Sequence, residues 1–444
     1  MYDLARPWRC PFTDFHHGLL VVDSWTEEAA RGRQDLTGDS RTSLLDEAQG
    51  LLKGVVALRR VLHRRPEVGL NLPATQRTVL DALAGLDIKI RLGDGLSSIV
   101  AVLEGRAPGP TVLLRADMDA LPIQEATGLD FASEIGGVMH ACGHDAHTAM
   151  LVGAARLLAR RRHQMIGRVV FAFQPGEEGY AGARMMIEEG LLEAGGTPDA
   201  AFAIHISAVD PSGEVATRPG PLMAGVAVFK ITIRGRGGHP AAPHLAIDPI
   251  PIASEIVLAL QAHVARRVDV ADPAVVTVAF MQAGAPTVAA IPDTATLAGS
   301  IRAISETTRA RVVDGLRRVA ETIASAHNAE AEVTTWLGYP SLINDAAIVK
   351  TIGELTRSVL GPQRFRILAA PDMASEDFSY ILQRIPGAMV FLGARRDAEA
   401  PAEDVHSPRM VLDEEAMAAG VALHAAVALH VLLPSVAAED GKLG

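Results

Sequence analysis

The feature that most restricts this chain is a series of apolar runs rich in β-branched residues. SSIVAVLEG, PTVLLRADMD, GRVVFAFQPGEE and PDAAFAIHIS are near-continuous in apolar side chains, the mark of strands buried on both faces. Helical stretches over 148–163 and 181–193 fall between some of them. This alternation predicts a layered α/β architecture with a largely parallel sheet. Upstream, LLDEAQGLLKGVVALRRVLHRR has helical spacing and stops at Pro66. Residues 1–45 show no clear period and read as an N-terminal extension without an assigned role.

The pattern changes near Gly225. GVAVFKITIRG reads as a strand, and a helix opened by Asp248 with prolines in its first turn follows. Two more strands (AVVTVAFMQAG and ATLAGSIRAI), a long amphipathic helix from Ser305, and the strand AEVTTWLGYP complete the run. The order β-α-β-β-α-β is that of a ferredoxin-like unit. Residues 225–339 are therefore expected to be a domain inserted into another, whose two parts are 46–224 and 340–444. Beyond Tyr339 lie a strand, GAMVFLGA, and a C-terminal helix. Residues 416–438 lack Asp, Glu, Lys and Arg, but they are Ala-rich, hold His424 and His430 and have no basic flank. They read as a packed core helix rather than a membrane span.

Composition closes off several classes of function. Hydrophobic residues make up 49% and charged residues 21%, which is ordinary for a globular chain. A formal charge of −11 argues against nucleic acid or an anionic membrane as partner. The two cysteines, Cys10 and Cys142, offer no disulfide framework, and the N-terminus lacks a charged segment followed by an apolar run. Both features fit a cytoplasmic protein.

Chemistry concentrates where the strands run out. RADMD follows PTVLL, QPGEE follows VVFAF, His205 closes DAAFAIH, and MHACGHDAH precedes a helix. In open α/β sheets ligands bind beyond the carboxyl ends of strands, so these segments can meet in one crevice. Cys142 and His144, two apart, would aim the same way from extended chain and make half a metal site. A buried unreactive cysteine beside surface histidines is the alternative, and His140 and His147 fit a capping or orienting role as well as ligation. Glu177 and Glu178 point apart as neighbours, so one can hold metal while the other addresses water; a solvated loop is the plain alternative. Asp117 and Asp119 could orient a ligand histidine or cap a turn. His205 could equally be a satisfied core residue, and His406 by itself says nothing.

Taken in order, LRRVLHRRPEVG, RADMDALPIQE, MHACGHDAHTAM, FQPGEEGYAGARMMIEEGLL, GRGGHPAAPH, IPDTATLAGSIR, SEDFSYIL and VHSP resemble the amidohydrolase branch of the aminoacylase/carboxypeptidase metallopeptidase family. The resemblance runs from about residue 46 to 433. It implies a zinc-peptidase-like catalytic domain carrying a ferredoxin-like lid, and hydrolysis of N-acyl amino acids or similar small amides. It also implies two divalent ions per subunit (manganese or zinc, with cobalt a further candidate) on Cys142, His144, Glu178, His205 and His406. Glu177 falls at the family's general base, with Asp117 among the catalytic residues. His239 falls at a lid histidine that holds the reacting carbonyl, often from the partner subunit of a homodimer formed through the lid. Arg302 resembles a lid arginine near the substrate carboxylate. One departure stands out: many relatives have Asn three residues before the proline of IPD, where this chain has Ala289. A dipeptidase or carboxypeptidase of the wider family and a non-catalytic metal-loaded binding protein remain the rival expectations.

Overall fold

The computed structural model describes residues 43–397, 399 and 401–433. Most of the expected N-terminal extension lies outside the described residues. In chain order the elements begin with α1 (Leu44–Arg64), α2 (Pro73–Leu83), β1 (Lys89–Leu92), β2 (Ile99–Glu104), β3 (Thr111–Asp117), α3 (His144–Arg160), β4 (Arg168–Gln174) and α4 (Gly182–Glu188). They continue with β5 (Ala200–Pro211), β6 (Val215–Thr217), β7 (Gly220–Met223), β8 (Gly225–Arg234), α5 (Pro249–Arg267), β9 (Ala274–Ala283), β10 (Thr294–Ala303) and α6 (Glu306–Ala326). The last are β11 (Glu330–Leu337), β12 (Leu342–Asn344), α7 (Ala346–Val359), β13 (Phe365–Ile367), α8 (Ser379–Leu382), β14 (Gly387–Arg395) and α9 (Ala416–Leu432).

Eight strands form one sheet in the order β1-β2-β4-β3-β5-β14-β6-β13. Its centre, β4-β3-β5-β14, is parallel, whereas β1, β2 and β4 pair antiparallel, as do β14 and β6. Four of the seven pairings are parallel, β6 with β13 included, so the sheet has the expected parallel centre and is mixed toward its edges. An apolar run reports burial on two faces, and strand direction is set by the connection that follows it. All seven residues of β3 are buried. Helices α1, α3 and α9 pack together against one face of the sheet. A Cβ on Gly153 of α3 would lie 2.8 Å from Val421 of α9 and 2.9 Å from Val55 of α1, so glycine lets the three helices approach this closely. Nearly every residue of α9 is buried, which accounts for its apolar composition. No described helix is long and apolar enough to cross a membrane. Residues 434–438 of the expected helix lie outside the described ones.

Boundaries move where glycine dictates. The helix expected from 148 starts at His144, just after Gly143 in the left-handed region (φ 81°). The helix expected over 181–193 ends at Glu188, and Gly190 (φ 84°) separates it from a short 3-10 turn. The first helix begins at Leu44, where Ser43 and Asp46 cap one another reciprocally.

A second sheet, all antiparallel, runs β11-β8-β10-β9. This is the strand order of the expected β-α-β-β-α-β unit. Alternation along β8 sends Phe229, Ile231 and Ile233 into a core shared with Ile256, Leu260 and Leu316 of α5 and α6. Asp248 and Ser305 cap these helices, each accepting a backbone N–H with its side chain. The face of this sheet away from the helices carries Val226, Val228 and Arg302, and it turns toward the ends of the large sheet.

Candidate metal centre

The site begins at the carboxyl ends of the central parallel strands. β3 ends on Asp117, and Asp119 follows in a buried loop. The Asp119 carboxylate accepts the backbone N–H of Glu177 at 2.9 Å and of Glu178 at 3.0 Å. The Tyr339 hydroxyl donates to the Glu177 carbonyl and accepts from the Gly179 N–H at 2.8 Å. The turn after β4 is therefore clamped from two sides, which fixes where the two glutamates point.

Cys142 and His144 are joined by Gly143 rather than by extended chain, which corrects the expected geometry. A Cβ on Gly143 would lie 2.4 Å from Ile206 Cγ2, so the turn presses directly on β5. His144 donates from Nδ1 to the Asp119 carbonyl at 2.8 Å, and its buried Nε2 has no hydrogen-bond partner. His205 donates from Nδ1 to the Ile206 carbonyl at 2.8 Å, leaving Nε2 3.4 Å from Cys142 Sγ. A carbonyl acceptor at Nδ1 fixes the tautomer, so each ring offers an Nε2 lone pair as a ligand. His406 brings its Nε2 within 3.3 Å of Glu178 Oε1. Its backbone N–H, at the unusual φ of 68°, donates to the Ala141 carbonyl at 2.7 Å and ties this loop to the cysteine segment.

Among the described residues five groups of potential ligand atoms lie within 4.8 Å of one another; besides Asp117–His144–His147 and Glu177–Glu376–Asp377 they are Cys142–His144–His205, Cys142–Glu178–His406 and His144–Glu177–Glu178, and these last three overlap at the cleft. Cys142 belongs to two of them. Burial alone would raise the thiol, but His205 and His144 hold it down at about 6. Cys142, Glu177, Glu178, His205, Arg302 and His406 line one cleft of about 940 Å³. Asp117 and His144 are buried beneath it.

The sequence pattern that defines peptidase family M20/M25/M40 matches residues 113–430. The chain belongs to that family. It is 39% identical over 423 residues to IAA-amino acid hydrolase ILR1-like 2 of Arabidopsis thaliana, covering 93% of each chain. It is 39% identical over 380 residues to N-acetylcysteine deacetylase of Bacillus subtilis (85% of this chain, 97% of the other). Thermostable carboxypeptidase 2 of Saccharolobus solfataricus is 37% identical over 379 residues (84% and 94%). Among solved structures, Bacillus subtilis YXEP protein, a dinuclear metal binding peptidase from the M20 family, superposes with a TM-score of 0.75 at 36% identity, covering 86% of this chain and 99% of that one. This M20-family chain is a hydrolase.

The donors of this hydrolase fit a transition-metal pair. Thiolate, imidazole and carboxylate are the ligands such ions take, and a buried imidazole nitrogen without a partner is costly unless something binds it. His147 lies in the cluster, but neither of its ring nitrogens is open in this arrangement. Its Nδ1 donates to Asp117 at 2.6 Å and its Nε2 accepts the Ile206 N–H at 2.8 Å, so both nitrogens are used. His239 does not join the cleft within one chain. It is exposed, and its Nδ1 accepts the Ala241 N–H at 3.0 Å. The backbone of Gly238 pairs with Ile291, so the His239 loop lies beside the segment that carries Ala289.

Sequence reasoning left several buried charges of this M20 hydrolase unassigned. Arg115 donates to Asp117 (2.5 Å), Glu376 (2.9 Å), Asp377 (3.0 Å) and Gln174 (2.9 Å). Glu376 lines the cleft, with its carboxylate within 4.8 Å of that of Glu177. The available signal was an arginine inside an otherwise apolar buried strand, which demands buried acids nearby. Behind α3, Asp145 accepts from Arg59 Nε (3.0 Å) and His63 Nδ1 (2.8 Å), anchoring the first turn of the helix that begins with His144.

Proposed function

We propose that the chain hydrolyses the amide bond of N-acyl amino acids, with two divalent ions on Cys142, His144, Glu178, His205 and His406 and with Glu177 as proton carrier. The observation that carries this reading is the meeting of those five donors, with the Glu177 carboxylate beside them. Bound there, the ions (manganese or zinc, with cobalt a further candidate) would supply a water of lowered pKa and polarise the amide carbonyl.

The chain's own residues do the rest. Glu177 takes a proton from the attacking water and returns it to the departing amine nitrogen. Burial, together with Glu376, Glu178 and Asp377, raises its affinity for that proton. Asp117 acts by position, fixing His147 and meeting Arg115 beneath the ligands. Arg302 holds the carboxylate of the amino-acid half. His239 supports the reacting carbonyl from a second copy of the chain, which is consistent with its exposure. In this reading residues 225–339 are a lid and dimerisation domain inserted between 46–224 and 340–444, and the protein is a cytoplasmic homodimer.

The test is protein loaded with Mn²⁺ or Zn²⁺ and offered N-acetyl and N-benzoyl amino acids beside dipeptides. Glu177-dependent cleavage of the N-acyl amino acids supports the proposal. Preference for dipeptides would favour an exopeptidase, the reading suggested by the carboxypeptidase relative. Bound metal without cleavage of either would leave a binding protein.

A further inference from the structure

The turn that carries Glu177 and Glu178 does not hold itself in place. Between β4 and α4 the backbone passes through the left-handed region three times, at Gly176 (φ 75°), Gly179 (φ 91°) and Ala181 (φ 56°). Alanine takes that conformation only at a cost, so contacts from outside the turn must fix it. Asp119, in the loop after β3, supplies one set. Tyr339 supplies the other. Its hydroxyl donates to the Glu177 carbonyl and accepts the N–H groups of Gly179 at 2.8 Å and of Ala181 at 3.2 Å. One proton and two lone pairs are all a phenol has, and all three are engaged with this turn.

By its backbone Tyr339 belongs to the other half of the molecule. It follows β11 by two residues, where the chain leaves the second sheet, and it lies beside Val226, where the chain enters it. These crossing strands are paired, Gly338 N–H to the Val226 carbonyl at 3.0 Å and Val226 N–H to the Tyr339 carbonyl at 2.9 Å. Arg309, buried near the start of α6, donates to both of those carbonyls, at 2.8 and 3.0 Å. Glu306 pairs with Arg309 and accepts the Ser341 N–H at 2.9 Å. The Tyr339 main chain is therefore fixed to the unit built on the second sheet, while its hydroxyl is fixed to the glutamate turn. The ring between them is buried, with Tyr380 edge-on at 6.0 Å, and has little room to follow one side and release the other.

We infer that Tyr339 is a positioning residue that couples the two units: a displacement of the second-sheet unit at its crossing strands is carried through the phenol to the Glu177–Glu178 turn. The two glutamates keep the arrangement described above only while that unit is seated as it is in this structure. The consequence for metal binding rests on the reading of Glu178 as a ligand, and the tie between unit and turn does not. Linkage makes the coupling reciprocal, so ions held at Glu178 steady the crossing strands as much as those strands steady the ions.

The experiment is a double-mutant cycle on the full chain, read by hydrogen exchange with mass spectrometry of peptides over 175–183. Tyr339→Phe removes the hydroxyl and keeps the ring, so exchange there should speed up by severalfold to about tenfold, the range of one net hydrogen bond. Arg309→Met loosens the crossing strands without stranding either carbonyl, since each keeps its backbone N–H. It should speed exchange over 175–183 severalfold when Tyr339 is present and add nothing in the Tyr339→Phe background. If Arg309→Met does not fold, Glu306→Gln tests the same corner from its exposed side, with the same expectation. Full additivity of the two changes overturns the inference. So does a change at Arg309 or Glu306 that leaves 175–183 unmoved, or one that raises exchange equally in β3 and β4, which marks general loosening. Manganese affinity of the same four proteins separates the tie from the ligand reading. Binding that weakens in the pattern of the exchange supports both. Coupled exchange with one affinity throughout upholds the tie and removes Glu178 from the ligand set.

Discussion

The Cys142 thiol lies 3.4 Å from the Nε2 of His205, although 63 residues separate them in the chain. The contact exists because Gly143 lets the cysteine turn press onto β5 beside Ile206. A soft thiolate shared between two ligand groups is the hinge of the proposed centre. Cys142→Ala should therefore lower the bound metal, measured by elemental analysis after dialysis, by at least one ion per chain. Two retained ions would remove Cys142 from the ligand set.

Glu177→Gln tests the proton carrier. The change keeps shape and removes the basic oxygen, so metal content should stay at the wild-type level while kcat falls by roughly 10²–10⁴. A rate near that of wild type would require another base, and Glu376 and Asp377 are carboxylates outside the ligand set within 4.8 Å of Glu177.

Asp119 should matter for shape more than for chemistry. It accepts two backbone N–H groups of the turn that holds Glu177 and Glu178. Asp119→Ala strands both donors, and a buried unsatisfied group costs about 1–3 kcal/mol. Expected are a lower melting temperature and weaker metal binding together. An unchanged melting temperature would show that the turn is held by Tyr339 alone.

His63 gives a pH dependence away from the ligands. Burial opposes its charge, but Asp145 and Glu125 overrule this and raise it to about 9. A folded-state value above the ordinary 6.5 means the imidazolium stabilises the fold fully below that pH. The contribution is lost as pH rises through about 9. Melting temperature should fall between pH 7 and 10, and His63→Gln should melt lower at pH 6 but show a shallower fall. A parallel fall in both proteins would assign the effect elsewhere.

His239→Ala should reduce turnover at constant metal content. In mixtures with Glu177→Gln, which keeps its own His239, activity should be partly restored through hybrid dimers. Absence of recovery in dimers shown by sedimentation to have exchanged subunits would argue against supply across the interface.

Much of the molecule was legible in the sequence, for reasons that stay local. Apolar β-branched runs identified β2 to β5, and Asp248 with its following prolines marked the start of α5. Capping and periodicity act over a few residues, and so they survive reading one stretch at a time. The motif cysteine, the histidines and the paired glutamates were likewise visible as unusual residues at strand ends. Strand direction was not: β2 runs against β4, which only the path of the connecting chain decides.

The sequence by itself determined which side chains are available and on which elements they sit. Only the tertiary structure decided which ring nitrogens are spent and which are open. His147 and His144 lie three residues apart in one motif, yet Asp117 and the Ile206 N–H occupy both nitrogens of the first, while a backbone carbonyl takes one and leaves the other open in the second. It also set His239 outside the cleft of its own chain and buried Arg115 among three acids. Those outcomes depend on distances between segments far apart in the chain, and such distances are fixed by packing of the whole rather than by the preferences of any stretch.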